Sequence, residues 1–367
     1  MGVSRRMILA TAGLWGIGAT ACAKPAATLA PTPSPTPSPT PTLDPRPRWP
    51  LTGALVDDET AVRHAAVAVK VPDNEREHPQ VGINEADIVF VQLEGYLDSA
   101  GYSSTRLMPV FHSVMAESAA PVRSIRPTDV PLLAPMTAVI GSSGGAEWVM
   151  NYLAEFTDVL VADRTYLAMK GTGAYSIDPA RVRTYQGNTY YDRALVCHPR
   201  VLADVVGAFP EGPPVPYLPF ATAVDEPSVD AGEPAERVAV PWKGEGYLMS
   251  YDFDQASGTY LRSMPWGEHI LADGSRVTTD NVLVVKTGQH SDKLAVGGGG
   301  AEPIQELIDS SGDFLYAAGG RHVTGTWSKA SATDPFAFTL TDGSPLLMTP
   351  GRTFVELPHE NATIVVE

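Results

Sequence analysis

At residues 65–71 the sequence reads AAVAVKV, an apolar run typical of a strand buried within a sheet. The residues that follow it alternate between strand-like and helix-like segments. Strands are predicted at 88–93, 106–113 and 137–140, and helices at 128–133, 146–156 and 199–209, with Thr128 as the cap of the first helix. Strands interspersed with helices predict a mixed α/β layer structure for this half of the chain.

The second half of the body is mostly β by the same criteria. Residues 247–252 and 259–262 flank the turn sequence QASG at 255–258, which predicts a hairpin. Further strands are predicted at 282–287, 314–317, 323–327, 336–340 and 353–357, and a helix at 303–309. The expected fold class is therefore α+β: an N-terminal mixed α/β domain followed by a β-rich C-terminal domain.

The composition along the chain predicts where these two domains begin and end. A connection rich in proline and acidic residues occupies 210–236. It separates a first domain at 49–209 from a second at 237–358, and residues 359–367 form a short tail.

Residues 1–21 have the three parts of an export signal. Arg5 and Arg6 provide a positive start, an apolar stretch follows, and Ala19-Thr20-Ala21 precede Cys22. The stretch is too short to cross a bilayer as a helix. These features predict a signal peptide at 1–21 and a lipid on Cys22, although Ala19 stands where a large aliphatic residue is usual. The two arginines either form a twin-arginine export signal or simply supply the positive charge.

Residues 22–48 would then connect the lipid to the folded body. They alternate proline with threonine and serine, a composition that favours extended polyproline II and cannot build a core. A proline-rich recognition ligand is the alternative, but the repeat has no basic anchor. We therefore expect a spacer, a membrane partner reached through Cys22, and a location outside the cell on the outer face of the cytoplasmic membrane.

Charge and cysteine content exclude some classes of partner and linkage. The formal net charge of −16 argues against nucleic acid and against anionic lipid head groups. Of the two cysteines, Cys197 has no partner if Cys22 is acylated, so we expect it to be a buried free thiol. The eight histidines show no metal-ligand spacing, and no metal or cofactor is expected.

Several short motifs occur together in a characteristic order. They are Pro50-Leu51-Thr52-Gly53, Ala86-Asp87-Ile88-Val89, Thr105-Arg106, Pro121-Val122-Arg123-Ser124, Arg126-Pro127-Thr128-Asp129, Tyr251-Asp252-Phe253, Asp280-Asn281-Val282, Gly325-Thr326-Trp327 and Pro350-Gly351-Arg352-Thr353. In this order they resemble the YerB-like lipoproteins, a two-part family without an established biochemical activity. The resemblance implies an N-terminal mixed domain and a β-rich C-terminal domain.

The chain departs from that family pattern in two places. Family members usually carry Glu-Gly-Gly just before the Thr-Arg pair, whereas this chain has Glu94-Gly95-Tyr96 followed by extra residues. Near the end of the first domain, only His198 remains of a Pro-His-Asn-Leu-Tyr-like segment. Any role that the family assigns to those segments is not carried over here.

Arginines stand out in a chain this acidic, and three of them lie in the motifs. Arg106, Arg123 and Arg126, together with Asp129, could form a patch that recognises carboxylates or phosphates in a bidentate manner. The alternative is a structural ion-pair network that also includes Asp87 and Asp129.

Residues 141–145 read GSSGG and formally match the G-x-S-x-G pattern of a hydrolase nucleophile elbow. Ser143 would be the nucleophile and His198 the base, with Asp158 or Asp163 between them in chain order. Against this, the domain is short for such a hydrolase and shows no oxyanion loop. Small residues also suit any tight turn from strand to helix.

Together these features predict an envelope lipoprotein that acts as a non-enzymatic binding or accessory module, for cell-wall components or wall-building enzymes. An envelope serine hydrolase using Ser143 is the competing class. A solute-binding lipoprotein is a third, disfavoured because the two halves of the body differ in composition instead of mirroring each other.

Overall fold

The computed structural model describes residues 46–97, 103–191, 193–206, 214–222, 224–243 and 247–367. The predicted signal peptide, Cys22 and nearly all of the predicted spacer lie outside these residues, as do the last three residues of the helix predicted at 199–209. Among the described residues, no helix is both long enough and apolar enough to cross a bilayer.

Strands dominate the regular structure. The α-helices are α1 (Asp129–Leu133), α2 (Glu147–Leu153) and α3 (Pro199–Val206). The strands are β1 (Ala66–Val69), β2 (Val71–Pro72), β3 (Ile88–Leu97), β4 (Ser103–Phe111), β5 (Ala138–Gly141), β6 (Leu160–Val161), β7 (Tyr175–Ile177), β8 (Arg183–Tyr185), β9 (Asn188–Tyr190), β10 (Leu195–Cys197), β11 (Glu233–Pro234), β12 (Arg237–Lys243), β13 (Tyr247–Asp254), β14 (Thr259–Met264), β15 (Gly267–Glu268), β16 (Thr278–Thr279), β17 (Asn281–Val285), β18 (Gln289–Asp292), β19 (Glu302–Gln305), β20 (Ser310–Ala318), β21 (Arg321–Lys329), β22 (Ala337–Leu340), β23 (Thr353–Glu356) and β24 (Val365–Val366). The fold contains more strand and less helix than the α+β class expected from sequence, and is best described as β-rich.

Twelve strands form one large sheet that runs through both halves of the body. Its order is β11-β21-β20-β17-β23-β3-β4-β1-β5-β6, with β2 beside β4 and β22 beside β21. The strand β23 pairs in parallel with β17 on one side and with β3 on the other. The last long strand of the chain therefore joins the N-terminal strands to the C-terminal ones, and all described residues belong to one compact unit.

A second sheet of six strands contains the predicted hairpin. Its order is β15-β14-β13-β12-β24, with β16 beside β14, and β13 and β14 are the hairpin arms, as predicted. Burial alternates along β14, so that Tyr260, Arg262 and Met264 point inward. This sheet packs on the large one, where the rings of Tyr251 and Phe354 meet edge to face at 5.9 Å.

The prediction of a helix at 303–309 is wrong. Residues Glu302–Gln305 are a strand, β19, which pairs antiparallel with β18. Long-range hydrogen bonds hold it there: the backbone N–H of Gln305 donates to the hydroxyl of Thr128 at 3.1 Å, and its side chain donates to the carbonyl of Leu357. The same contact corrects the role of Thr128, which precedes α1 but makes no side-chain cap to that helix. Tertiary pairing overrides local helix preference here.

A histidine pair lies under the first residues of the body. His112 is buried, and its Nε2 lies 3.1 Å from the carbonyl oxygens of Val62 and His64. Two acceptors at Nε2 require that nitrogen to carry the proton. The ring also packs against Trp49, edge to face at 5.2 Å, and against His64. Burial, reinforced by the neighbouring His64, lowers the pKa of His112 to about 4.

This pKa predicts an acid-sensitive contribution to stability. In the unfolded chain His112 takes up a proton below about pH 6.5, whereas in the fold it stays neutral until about pH 4. Stability is therefore full above pH 6.5 and falls by up to about 3 kcal/mol as the pH drops toward 4. Urea unfolding at several pH values should show a shallower decline for His112→Gln, which keeps an N–H donor but does not titrate. Parallel profiles for the two proteins would contradict the prediction.

Candidate functional site

Two polar clusters lie on opposite faces of the large sheet, and neighbouring residues of β4 contribute to both. Successive side chains of a strand point to opposite faces. Thr105 therefore reaches Asp73 on the side of the six-stranded sheet, while Arg106 reaches Glu94 on the other side. The Thr-Arg motif noted in the sequence thus supplies one residue to each cluster.

The first cluster, the Asp73 cluster, comprises Asp73, His78, Gln80, Arg262 and His269. Asp73 follows β2 directly and is fully buried. The guanidinium of Arg262 binds it with both terminal nitrogens, at 2.7 Å and 3.3 Å, and the hydroxyl of Thr105 donates at 2.8 Å. Burial opposes ionisation of Asp73, but Arg262 outweighs it and holds the pKa of Asp73 well below its usual range. The carboxylate is therefore charged and saturated with donors.

The hydrogen bonds of this cluster also assign the tautomer of His269. Arg262 donates to Nδ1 of His269 at 2.8 Å, so the ring proton lies on Nε2, which donates to the side-chain oxygen of Gln80 at 2.8 Å. The amide nitrogen of Gln80 then donates to the carbonyl of Pro72 at 3.0 Å. Burial, together with the adjacent Arg262, places the pKa of His269 well below its usual value. His269 is therefore neutral and connects Arg262 to Gln80 through its two ring nitrogens.

Glu356 of β23 extends the Asp73 cluster toward the second sheet. Its carboxylate accepts from the indole N–H of Trp242 at 2.7 Å and from the hydroxyl of Tyr251 at 2.5 Å. The guanidinium of Arg262 lies 4.0 Å away. Burial raises the pKa of Glu356 despite these partners. Three strands of the six-stranded sheet are thus tied to the centre of the large sheet.

Asp73, His78 and His269 are the kind of group that can ligate a metal, since their donor atoms lie within 4.8 Å of one another. The chemistry of the donor set does not fit a cation. Arg262 already occupies both oxygens of Asp73 and the free lone pair of His269. A metal ion would place its charge next to a buried guanidinium. The geometry is that of an ion-pair network.

The second cluster, the arginine cluster, comprises Lys70, Gln92, Arg106, Arg126 and Asp129. The ammonium of Lys70 meets Asp129 at 2.6 Å and the amide oxygen of Gln92 at 2.9 Å, and all three side chains are buried. Asp129 also accepts from the amide of Gln92 and from the backbone N–H of Arg126. Burial lowers the pKa of Lys70 to about 8, against the opposing effect of Asp129.

The three arginines proposed to recognise an anion each face a carboxylate of the chain. Arg106 meets Glu94 at 2.6 Å and donates to the carbonyl of Ser124 at 2.9 Å. Arg123 is paired with Glu77, and Arg126 lies 3.3 Å from Glu302. The structure thus brings Arg106, Arg126 and Asp129 into one region, and this geometry favours the structural alternative over an anion site.

The prediction that Asp87 belongs to the structural ion-pair network is wrong. Asp87 does not contact the arginine cluster; its carboxylate accepts from the backbone N–H of Ser113 at 2.7 Å and from the Ser113 hydroxyl. Burial raises the pKa of Asp87 to about 6. Its place in the network is taken by Glu77, Glu94 and Glu302.

The proposed nucleophile and base share no hydrogen bond. The hydroxyl of Ser143 lies 3.4 Å from that of Ser124. The ring of His198 is engaged at both nitrogens, with the Ser176 hydroxyl at 2.8 Å and the carbonyl of Glu117 at 2.9 Å. Cys197 beside it is a buried free thiol, as expected, and burial raises its pKa far above the usual value.

Sequence reasoning missed Lys70, Asp73, Arg262, His269 and Glu356. A signal was available for two of them: Lys70 interrupts the apolar run at 65–71, and Arg262 occupies an inward position of an alternating strand. A charge at a buried position requires an opposite charge nearby. Nothing local indicates which carboxylate that is, since Asp73 and Arg262 are 189 residues apart in sequence.

The fold and the two clusters define a β-rich protein whose halves are joined through one sheet and through buried ion pairs. Models of the two domains of a family of unknown function, DUF3048, match the chain: the N-terminal domain at residues 51–194 and the C-terminal domain at 238–355. The chain belongs to this two-domain, YerB-like family.

A crystal structure of the YerB protein from Bacillus subtilis has the same fold. It aligns with a TM-score of 0.67 and 22% sequence identity, covering 87% of this chain and 100% of that one. None of the curated proteins matches this chain in sequence.

The Asp73–Arg262 pair should be decisive for stability. Arg262→Met leaves Asp73 buried without its cation and should lower the free energy of unfolding by about 3–5 kcal/mol. Asp73→Asn combined with Arg262→Met should recover part of that loss, because residue 73 then carries no unpaired charge. Urea unfolding of the two single variants and the double variant measures the coupling. A loss under about 1 kcal/mol for Arg262→Met would show that the pair does not hold the two sheets together.

Proposed function

We propose that this protein is an extracytoplasmic lipoprotein that works as a non-enzymatic binding or accessory module among cell-wall components or wall-building enzymes. Cys22 would carry the lipid, and residues 22–48 would hold the body away from the membrane. The signal-like residues 1–21 and the Pro-Thr/Ser repeat support this location.

One observation supports binding over catalysis. His198, the base that a serine hydrolase would use, has both ring nitrogens hydrogen bonded away from Ser143. A nucleophile needs a base within hydrogen-bond reach, and among the described residues the Ser143 hydroxyl meets only the hydroxyl of Ser124.

The location is tested by lipid labelling in the producing cell. Radiolabelled palmitate should enter the wild-type chain and leave Cys22→Ser unlabelled, with the latter released from the membrane fraction. Cys197→Ser is the matched control, because that thiol is buried and should not affect labelling. Equal labelling of wild type and Cys22→Ser would remove the anchor from the proposal.

The absence of serine-hydrolase chemistry is tested separately with the purified chain. A fluorophosphonate probe should label neither the wild type nor Ser143→Ala, because Ser143 lacks a general base. A known serine hydrolase in the same tube controls for probe activity. Labelling of the wild type that disappears in Ser143→Ala would establish a hydrolase and overturn the non-enzymatic proposal.

A further inference from the structure

The strands β8 and β9 form a hairpin that stands apart from both large sheets. Gln186 and Gly187 connect them with backbone φ angles of 50° and 78°, as in a type I′ turn. Among the described residues the two strands pair only with each other. In sequence, β7 precedes the hairpin and β10 follows it, and these two strands pair with each other.

The register of the hairpin separates its side chains into two faces. Arg183 is opposite Tyr190, and Tyr185 is opposite Asn188, so these four residues share one face, here called the tyrosine face. The guanidinium of Arg183 lies over the ring of Tyr190 at 5.8 Å. The other face carries Thr184 opposite Thr189.

The tyrosine face is directed into solvent. Tyr185 is 64% exposed and Tyr190 is 40% exposed, and Tyr191 beside them is 54% exposed. A two-stranded hairpin is marginal in water even when one face is covered. Neighbouring exposed aromatic rings contribute nothing to the core, and such a patch marks an interaction surface.

We propose that the tyrosine face binds peptidoglycan through the sugar rings of its glycan strands. This deepens the proposed function and rests on its placement of the protein outside the membrane.

The size of the hairpin favours a polymer over a protein partner. An aromatic side chain buries about 150–250 Å² at most. Even with Tyr191 included, the hairpin cannot supply the roughly 800 Å² per partner that a stable protein interface requires. The same limit applies to a second copy of this chain. A sugar ring is about as large as one aromatic ring, so a contact of this size is sufficient for a glycan.

The chemistry of the face fits a sugar chain. Phenol rings pack against the C–H faces of sugar rings, and their hydroxyls, with the amide of Asn188, can hydrogen bond to sugar hydroxyls. Residues 182–191 contain one arginine and no acidic residue, in a chain whose net charge is −16. These residues therefore add no negative charge that would repel the wall polymer.

Co-sedimentation with insoluble peptidoglycan tests the proposal. The protein is the purified full chain carrying Cys22→Ser, and the sacculi are used before and after acid extraction of their phosphate polymers. Wild type should sediment with extracted sacculi. Tyr185→Ala with Tyr190→Ala should weaken binding about tenfold, as truncation of central aromatic contacts does.

The opposite face of the same hairpin provides the control. Thr184→Ala with Thr189→Ala should bind as the wild type does. Both double variants should keep the wild-type melting temperature, since all four side chains are exposed.

Three results would overturn the proposal: no sedimentation of the wild type, binding unchanged in the tyrosine variant, or binding lost when the phosphate polymers are removed. A photo-crosslinker at position 185 that captures a protein but no glycan would favour the alternative partner class. Because the assay uses unlipidated protein, its failure leaves the palmitate result on Cys22 intact, and either proposal can fail alone.

Discussion

The buried ion pair of Asp73 with Arg262 is the interaction on which the arrangement of the two sheets depends. Each charge has been removed from water, which costs several kcal/mol per ion unless the partner is held in good geometry. Arg262 meets that requirement with two contacts to Asp73 and one to His269. Because Asp73 follows β2 and Arg262 lies on β14, a shift of one sheet against the other would leave both charges unpaired.

The strand β4 explains why two polar clusters can coexist in one sheet. Thr105 and Arg106 are adjacent in sequence but lie on opposite faces, so a two-residue motif contributes to both sides of the sheet. A one-residue slip in the pairing of β4 with β3 would exchange these faces. The threonine would then lie beside Glu94 and the arginine beside the Asp73 cluster, which already contains a guanidinium. The clusters therefore specify the register.

Local pattern was enough to predict many of the strands, but not their neighbours in the sheet. The hairpin of β13 and β14 follows from alternation and a turn sequence, both of which are local. The pairing of β23 with β3 joins residues more than 250 positions apart, and its pairing with β17 joins residues 72 positions apart, so no local stretch of sequence contains both partners. The failed helix at 303–309 has the same origin, since β18 and Thr128 hold those residues extended. Its sequence alone carries no sign of these partners.

The sequence left two roles open for the scarce arginines, an anion-binding patch or a structural ion-pair network. Arg106 and Arg126 are buried beside Glu94 and Glu302, as in a structural network. Guanidinium groups are suited both to binding an external anion and to forming a buried ion pair, and burial decides which of these roles they have. The hairpin of Tyr185 and its neighbours showed no chemical motif but lies outside the core. The buried charges position the sheets, whereas the binding proposed for the hairpin would use surface groups whose removal costs the fold little.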